Sequence, residues 1–127
     1  MSASLSILIV DDNPPMAIAL MDILVFKGFE AYAACSGAQA LVILQNHPVD
    51  ILLTDVKMPE MNGVELCRET RKIYPNITAL LMTAYSADEL IQQGMVEGVR
   101  TVLTKPVDII YLLSYLSAAQ RLIKKTG

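Results

Sequence analysis

A chain of 127 residues reads as one domain spanning 1–127, long enough to bury a core without disulfides or metal staples, and its 54% hydrophobic content suits a sheet covered on both faces. A net charge of -3 gives no basis for nucleic-acid binding by this domain itself, and no apolar run reaches membrane-spanning length. Cys35 and Cys67 fit neither a CxxC motif nor a disulfide framework, and the N-terminus lacks a signal peptide's charged flank, so a cytoplasmic protein with packed thiols and no membrane contact is expected.

The first predicted strand, about Leu5 to Val10, ends at the acidic pair Asp11-Asp12. Asn13 can cap a helix whose first turn tolerates Pro14 and Pro15, with Ala17, Leu20, Met21 and Leu24 at helical spacing and Gly28 as a left-handed stop. Phe29 to Ala34 reads as a second strand. Ser36 with Gln39 is a capping-box signature for a helix carrying Ala40, Leu41, Ile43 and Leu44, which ends before Pro48 with His47 as a capping residue.

Ile51 to Leu53 is too short an apolar run for a helix and reads as a strand buried on both faces, delivering Asp55 at its carboxyl end. That end is where open parallel sheets bind ligands. Met58-Pro59 and Asn62-Gly63 punctuate the loop that follows; Asn62 with Glu65 caps the next helix, Val64 to Tyr74, and Gly63 relaxes the backbone. Ile77 to Met82 is a fourth strand. Ser86 to Glu89 is a second capping box, opening a helix that Gln92, Gln93, Gly94 and Gly98 make short and weak, and such an element is suited to movement. A fifth strand ends at Lys105-Pro106, and a long last helix runs from about Asp108 to Lys125. The basic clusters Arg68/Arg71/Lys72 and Arg121/Lys124/Lys125 read as solvated helix faces.

Strands alternating with helices through short connections give an α/β fold, a doubly wound parallel sheet of five strands with five helices. Three strand ends then place the carboxylates Asp11, Asp12 and Asp55 in one cleft with the Lys105 ammonium. Ionised carboxylates so crowded need a compensating cation, and hard oxygen ligands suit Mg²⁺.

The pair Asp11-Asp12, the segment Asp55-Val56-Lys57-Met58-Pro59 followed by Met61-Asn62-Gly63, the Met82-Thr83-Ala84 after the fourth strand, and Leu103-Thr104-Lys105-Pro106 resemble the CheY-like receiver domain of two-component response regulators. The resemblance covers essentially the whole chain, in the family's order. It implies the flavodoxin-like strand order 2-1-3-4-5. It also implies that Asp55 is the phosphoacceptor, taking a phosphoryl group from a sensor histidine kinase or a histidine phosphotransfer protein, and that the domain catalyses its own phosphorylation and dephosphorylation. Asp11, Asp12, Asp55 and the backbone carbonyl of Lys57 would hold Mg²⁺, Thr83 would be the switch hydroxyl, Lys105 would contact the phosphoryl oxygens, and Lys57 and Tyr85 would flank the attacking water and modulate hydrolysis. The chain would be a stand-alone receiver or part of a longer regulator.

Two features depart from the family pattern. Val102 stands where many receivers carry an aromatic that moves with the switch Thr, and Gly98-Val99-Arg100-Thr101 replaces the frequent Gly-Ala and acidic pair. An aspartyl-phosphate hydrolase of the haloacid dehalogenase type would need a second acid two residues after Asp55, where Lys57 stands. A flavodoxin-like module would need a Ser/Thr/Gly-rich phosphate loop where Asp11 to Pro15 stands, and a degenerate scaffold receiver fits poorly with an intact acidic trio and lysine.

In the last helix Ile109, Leu112, Leu113, Leu116 and Ile123 form a core-facing stripe, while Tyr111, Tyr115, Ala118 and Leu122 form a second on another side. A helix with two apolar stripes needs a second covering surface, so a homodimer or output-domain contact is expected there. In receivers, helix four, strand five and helix five build the usual partner face.

Overall fold

The computed structural model describes residues 5–84 and 89–126, with side chains through Leu122. Strands β1 (Ser6–Val10), β2 (Glu30–Ala34), β3 (Ile51–Asp55), β4 (Thr78–Thr83) and β5 (Thr101–Thr104) alternate with helices α1 (Pro14–Phe26), α2 (Gly37–Asn46), α3 (Gly63–Ile73), α4 (Glu89–Val96) and α5 (Ile109–Thr126). The strands form one parallel sheet in the order β2-β1-β3-β4-β5, the flavodoxin-like arrangement expected. Because the order reverses at β1, the carboxyl ends of β1 and β3 lie side by side, with Val10 opposite Thr54.

Strand periodicity divides the core in two. Leu8, Val10, Leu52 and Leu81 pack with Ala40, Leu44, Val64, Leu66 and Ile91, so one face of the sheet carries α2, α3 and α4. Ile7, Ile9, Ile51, Leu53, Leu80, Met82 and Leu103 pack with Leu20, Leu24, Leu112 and Leu116, which places α1 and α5 on the other. The three central strands are buried on both faces and therefore read as continuous apolar runs.

Local chemistry sets the helix starts. Asn13 accepts from the Met16 amide ahead of Pro14 and Pro15, and Asn62 with Glu65 closes a full capping box, each of its two hydrogen bonds 2.9 Å long. At α2 the Ser36 hydroxyl accepts from the Gln39 amide at 3.1 Å, while the Gln39 side chain reaches the Cys35 amide, one residue earlier than a capping box requires. The predicted cap of α4 at Ser86 lies outside the described residues. Gly28 holds φ +95° after α1, as its stop position requires. His47 caps α2 and stacks on Tyr32, with ring centroids 4.8 Å apart.

The α3 basic cluster is solvated at Arg68 and Lys72, as expected, but its arginines also have partners on other elements. Arg71 donates to the Gly98 carbonyl at 2.8 Å and Arg68 pairs with Glu97 at 3.0 Å, so two arginines of α3 clasp the end of α4 and the turn into β5. Periodicity within α3 could not reveal partners some thirty residues away. Lys72 does behave as a surface residue, pairing with Glu69 on its own helix, and Arg121 is exposed. Gly94 seats α4 on the sheet, since a Cβ there would stand 2.8 Å from Leu81 Cδ1.

Cys67 is buried and Cys35 half-buried, and both are free thiols; burial pushes the Cys67 pKa up to about 12. No helix among the described residues is long and apolar enough to cross a membrane.

Candidate functional site

The site is built where β1, β3, β4 and β5 end. Asp11 follows β1 directly and is fully buried; its Oδ1 accepts from the Asn13 amide at 3.0 Å, and its own amide donates to the Ala34 carbonyl at 3.1 Å. Asp12, the next residue, is exposed. Asp55 is the last residue of β3 and not a loop residue, and it is only 8% exposed. Its carbonyl accepts from the buried Thr54 hydroxyl at 3.0 Å.

Lys105 crosses from the end of β5 to meet both buried carboxylates, its Nζ standing 2.8 Å from Asp11 Oδ2 and 3.0 Å from Asp55 Oδ2. The peptide bond from Lys105 to Pro106 is cis. Thr83 ends β4 and is buried, and its carbonyl accepts the Lys105 amide at 2.8 Å, tying the two residues' backbones together. The Val56 amide donates to the Met82 carbonyl at 3.1 Å, which fixes the start of the β3–α3 loop against β4.

Burial raises the Asp55 pKa above the ordinary carboxylate range; the hydrogen bond and charge of Lys105 oppose this, while the charges of Asp11 and Asp12 add to it. For Lys105, partial burial works against the ammonium. Hydrogen bonds to Asp11 and Asp55, together with their charges, outweigh it, and the lysine pKa is raised.

Asp11, Asp12 and Asp55 each offer a carboxylate oxygen, all within 4.8 Å of one another. A single ammonium leaves this trio net negative, and an all-oxygen donor set with one exposed member fits a hard divalent cation that keeps part of its water. The structure thus brings together Asp11, Asp12, Asp55 and Lys105, with Thr83 on the adjoining strand end. Lys57 is exposed in the β3–α3 loop, whose Met58 and Met61 pack against the α2–α3 core. Tyr85 lies outside the described residues. Of the proposed surface residues, Tyr111 is 47% and Leu122 67% exposed, whereas Ala118 is half-buried and Tyr115 packs partly against the α1–α5 core. Val102 packs half-buried against the α2–α3–α4 core.

Of two further residues at the site, Thr54 carries no sequence signal of its own and Gly63 carries one only as a loop glycine of the motif. Thr54 reads as one more residue of a buried strand, and Gly63 as a glycine that relaxes the loop backbone. In the structure Gly63 has no left-handed backbone; a Cβ there would stand 2.2 Å from the Asp55 carbonyl oxygen, so its role is close approach.

A family model, the response regulator receiver domain, matches residues 7–117. A response regulator receiver protein of Anaeromyxobacter sp. is 42% identical over 106 residues, covering 84% of this chain and 44% of the relative. Sporulation initiation phosphotransferase F of Bacillus subtilis is 37% identical over 103 residues, covering 81% of this chain and 83% of the relative. The crystal structure of a CheY-like receiver domain protein from Methanospirillum hungatei superposes with a TM-score of 0.89 at 28% identity, covering 98% of this chain and 100% of that one. The chain belongs to the receiver domain family of two-component response regulators.

Proposed function

We propose that residues 1–127 form one phosphoacceptor receiver domain, acting in the cytoplasm, in which Asp55 takes a phosphoryl group from a phosphohistidine of a sensor histidine kinase or histidine phosphotransfer protein. The observation that carries this is Lys105 Nζ held within 3.0 Å of Asp55 Oδ2 and 2.8 Å of Asp11 Oδ2 at the carboxyl end of a parallel sheet.

An Asp55 carboxylate oxygen attacks phosphorus in line. The bond from phosphorus to that oxygen forms as the phosphorus–nitrogen bond breaks, and the imidazole nitrogen leaves with the electron pair and takes up a proton. Lys105 supplies a positive charge for the phosphoryl oxygens and Thr83 a hydroxyl donor from the neighbouring strand. Asp11, Asp12, Asp55 and the Lys57 carbonyl are the residues that would hold Mg²⁺, which when bound neutralises charge gathering on the transferring group. Water later attacks the same phosphorus, the bond from phosphorus to the Asp55 oxygen breaks, and inorganic phosphate leaves the regenerated carboxylate.

Phosphate on Asp55 adds charge that Thr83 and Lys105 can grip, which biases the short α4 between two arrangements. The output is a changed surface, read by a second copy or an output domain through Tyr111, Tyr115, Ala118 and Leu122. A scaffold receiver that is never phosphorylated is the second reading; the complete acidic trio disfavours it.

Intact-mass measurement after incubation with a small acyl-phosphate donor and Mg²⁺ tests the reading. One phosphoryl adduct is expected, absent with chelator and absent in Asp55→Asn. A wild type that takes no adduct under any metal condition would leave the scaffold reading.

A further inference from the structure

We infer that Gly63 and Thr54 are positioning residues that fix the Asp55 carboxylate for phosphoryl transfer by holding its backbone carbonyl, Thr54 through a hydrogen bond and Gly63 through close approach, an inference that rests on the phosphoacceptor reading. The Thr54 hydroxyl, fully buried, donates to the Asp55 carbonyl at 3.0 Å. The first residue of α3, Gly63, comes close to the same group. The Cβ that any other residue would carry at position 63 falls 2.2 Å from the Asp55 oxygen, 3.0 Å from its carbonyl carbon and 3.2 Å from Val56 Cα.

The peptide joining Asp55 to Val56 cannot easily turn away. Its amide donates to the Met82 carbonyl at 3.1 Å, and the Val56 carbonyl in turn accepts the Gly63 amide at 2.8 Å. Asp55 thus ends its strand with the following peptide tied to β4, to α3 and to its own neighbour's hydroxyl. Side-chain position follows from backbone position, because only the Cα–Cβ and Cβ–Cγ bonds separate the peptide from the carboxylate that meets Lys105.

A methyl at position 63 must move something by more than 1 Å to reach ordinary contact distance with a backbone oxygen. Misplacement of a reacting group by about 1 Å costs roughly a hundredfold in rate when the chemistry depends on alignment. The Thr54 hydroxyl is a gentler constraint, and its loss frees the carbonyl without pushing it.

The test compares Gly63→Ala and Thr54→Val with wild type, using a small acyl-phosphate donor at saturating Mg²⁺, and reads the limiting phosphorylation rate, the donor half-saturation, Mg²⁺ affinity from amide NMR shifts, and thermal midpoint. Gly63→Ala is expected to lower the limiting rate at least tenfold, and Thr54→Val several-fold, with weakened Mg²⁺ binding and little change in donor half-saturation. Thr54→Val, nearly isosteric, keeps the test decisive if Gly63→Ala does not fold. A merely structural role would lower the midpoint and leave limiting rate and Mg²⁺ affinity unchanged in the folded variants, and that result overturns the inference. Failure of the underlying reading is distinct: wild type itself would then take no phosphoryl group.

Discussion

Asp55 is the residue on which stability and function pull apart. Its pKa is raised chiefly by burial, so the folded state holds a proton on this group more tightly than the unfolded chain, whose Asp titrates at about 3.9. For a raised carboxyl the stabilising contribution is complete below the unfolded pKa and is lost as pH rises through the folded value. Asp55→Asn, which cannot ionise, should therefore be more stable than wild type at pH 7 in chelated buffer, on the order of 1 kcal/mol, with the gap shrinking as pH falls toward 4. Excess Mg²⁺ should narrow it too, because wild type gains a stabilising ligand that the variant binds less well. Guanidinium unfolding across pH reads this out; an Asn variant less stable at pH 7, or a gap widening on acidification, would contradict it.

A second consequence at residue scale concerns the lifetime of the phosphoryl group. Lys57 is bulky, exposed in the loop after Asp55, the proposed acceptor, and offers neither an acid nor an amide to orient water. Dephosphorylation is therefore expected to be slow, and replacing Lys57 and Tyr85 with small residues should speed it severalfold in a phosphate-release assay. An unchanged rate would remove these side chains from the water's path.

The acidic pair, Asp55 and Lys105 were legible in the sequence because each follows an apolar strand run and strand ends converge in this topology. Gly63 was legible as a glycine that relaxes the loop backbone and as part of the motif, not as a contact of Asp55. Its true constraint depends on how closely α3 approaches β3, a distance that no local pattern encodes.

Among the elements, α4 shows most clearly where local reading stops. Its shortness and its glycines were visible in the chain, and Gly98 does take φ +95° at its end. What holds it was not visible: Arg68 and Arg71 come from another helix, and Gly94 is needed for contact with Leu81. Helix α5 kept its two stripes only in part, since Tyr115 turns partly into the core while Tyr111, Leu122 and the 79% exposed Ile110 face outward. Phosphorylation is expected to promote association through this face, and Tyr111→Asp with Tyr115→Asp to abolish it, as sedimentation of phosphorylated and unphosphorylated protein would show. A wild type that stays monomeric in both states removes the dimer and leaves an output domain as the occupant. Because Tyr115 is also a packing residue, Tyr111→Asp alone is the cleaner variant of the two.

At the scale of the whole molecule, the strand order does the functional work. Only with β1 and β3 adjacent do residues 44 positions apart, Asp11 and Asp55, face one lysine from β5. Parallel strands bring their carboxyl ends to one edge, so charge collects there while the apolar runs behind it form the core. The alternation of elements made the fold class readable. The order of the strands is fixed by tertiary packing, and in the sequence it was accessible only through resemblance to a family.

The central claim, that Asp55 is the acceptor, is tested most directly by chemical trapping. Borohydride reduces an acyl phosphate to the alcohol, so protein treated with donor and Mg²⁺, then reduced and digested, should yield homoserine in place of aspartate at position 55 and nowhere else. Homoserine at Asp11 or Asp12, or none in a protein whose intact mass shows a phosphoryl adduct, would contradict it.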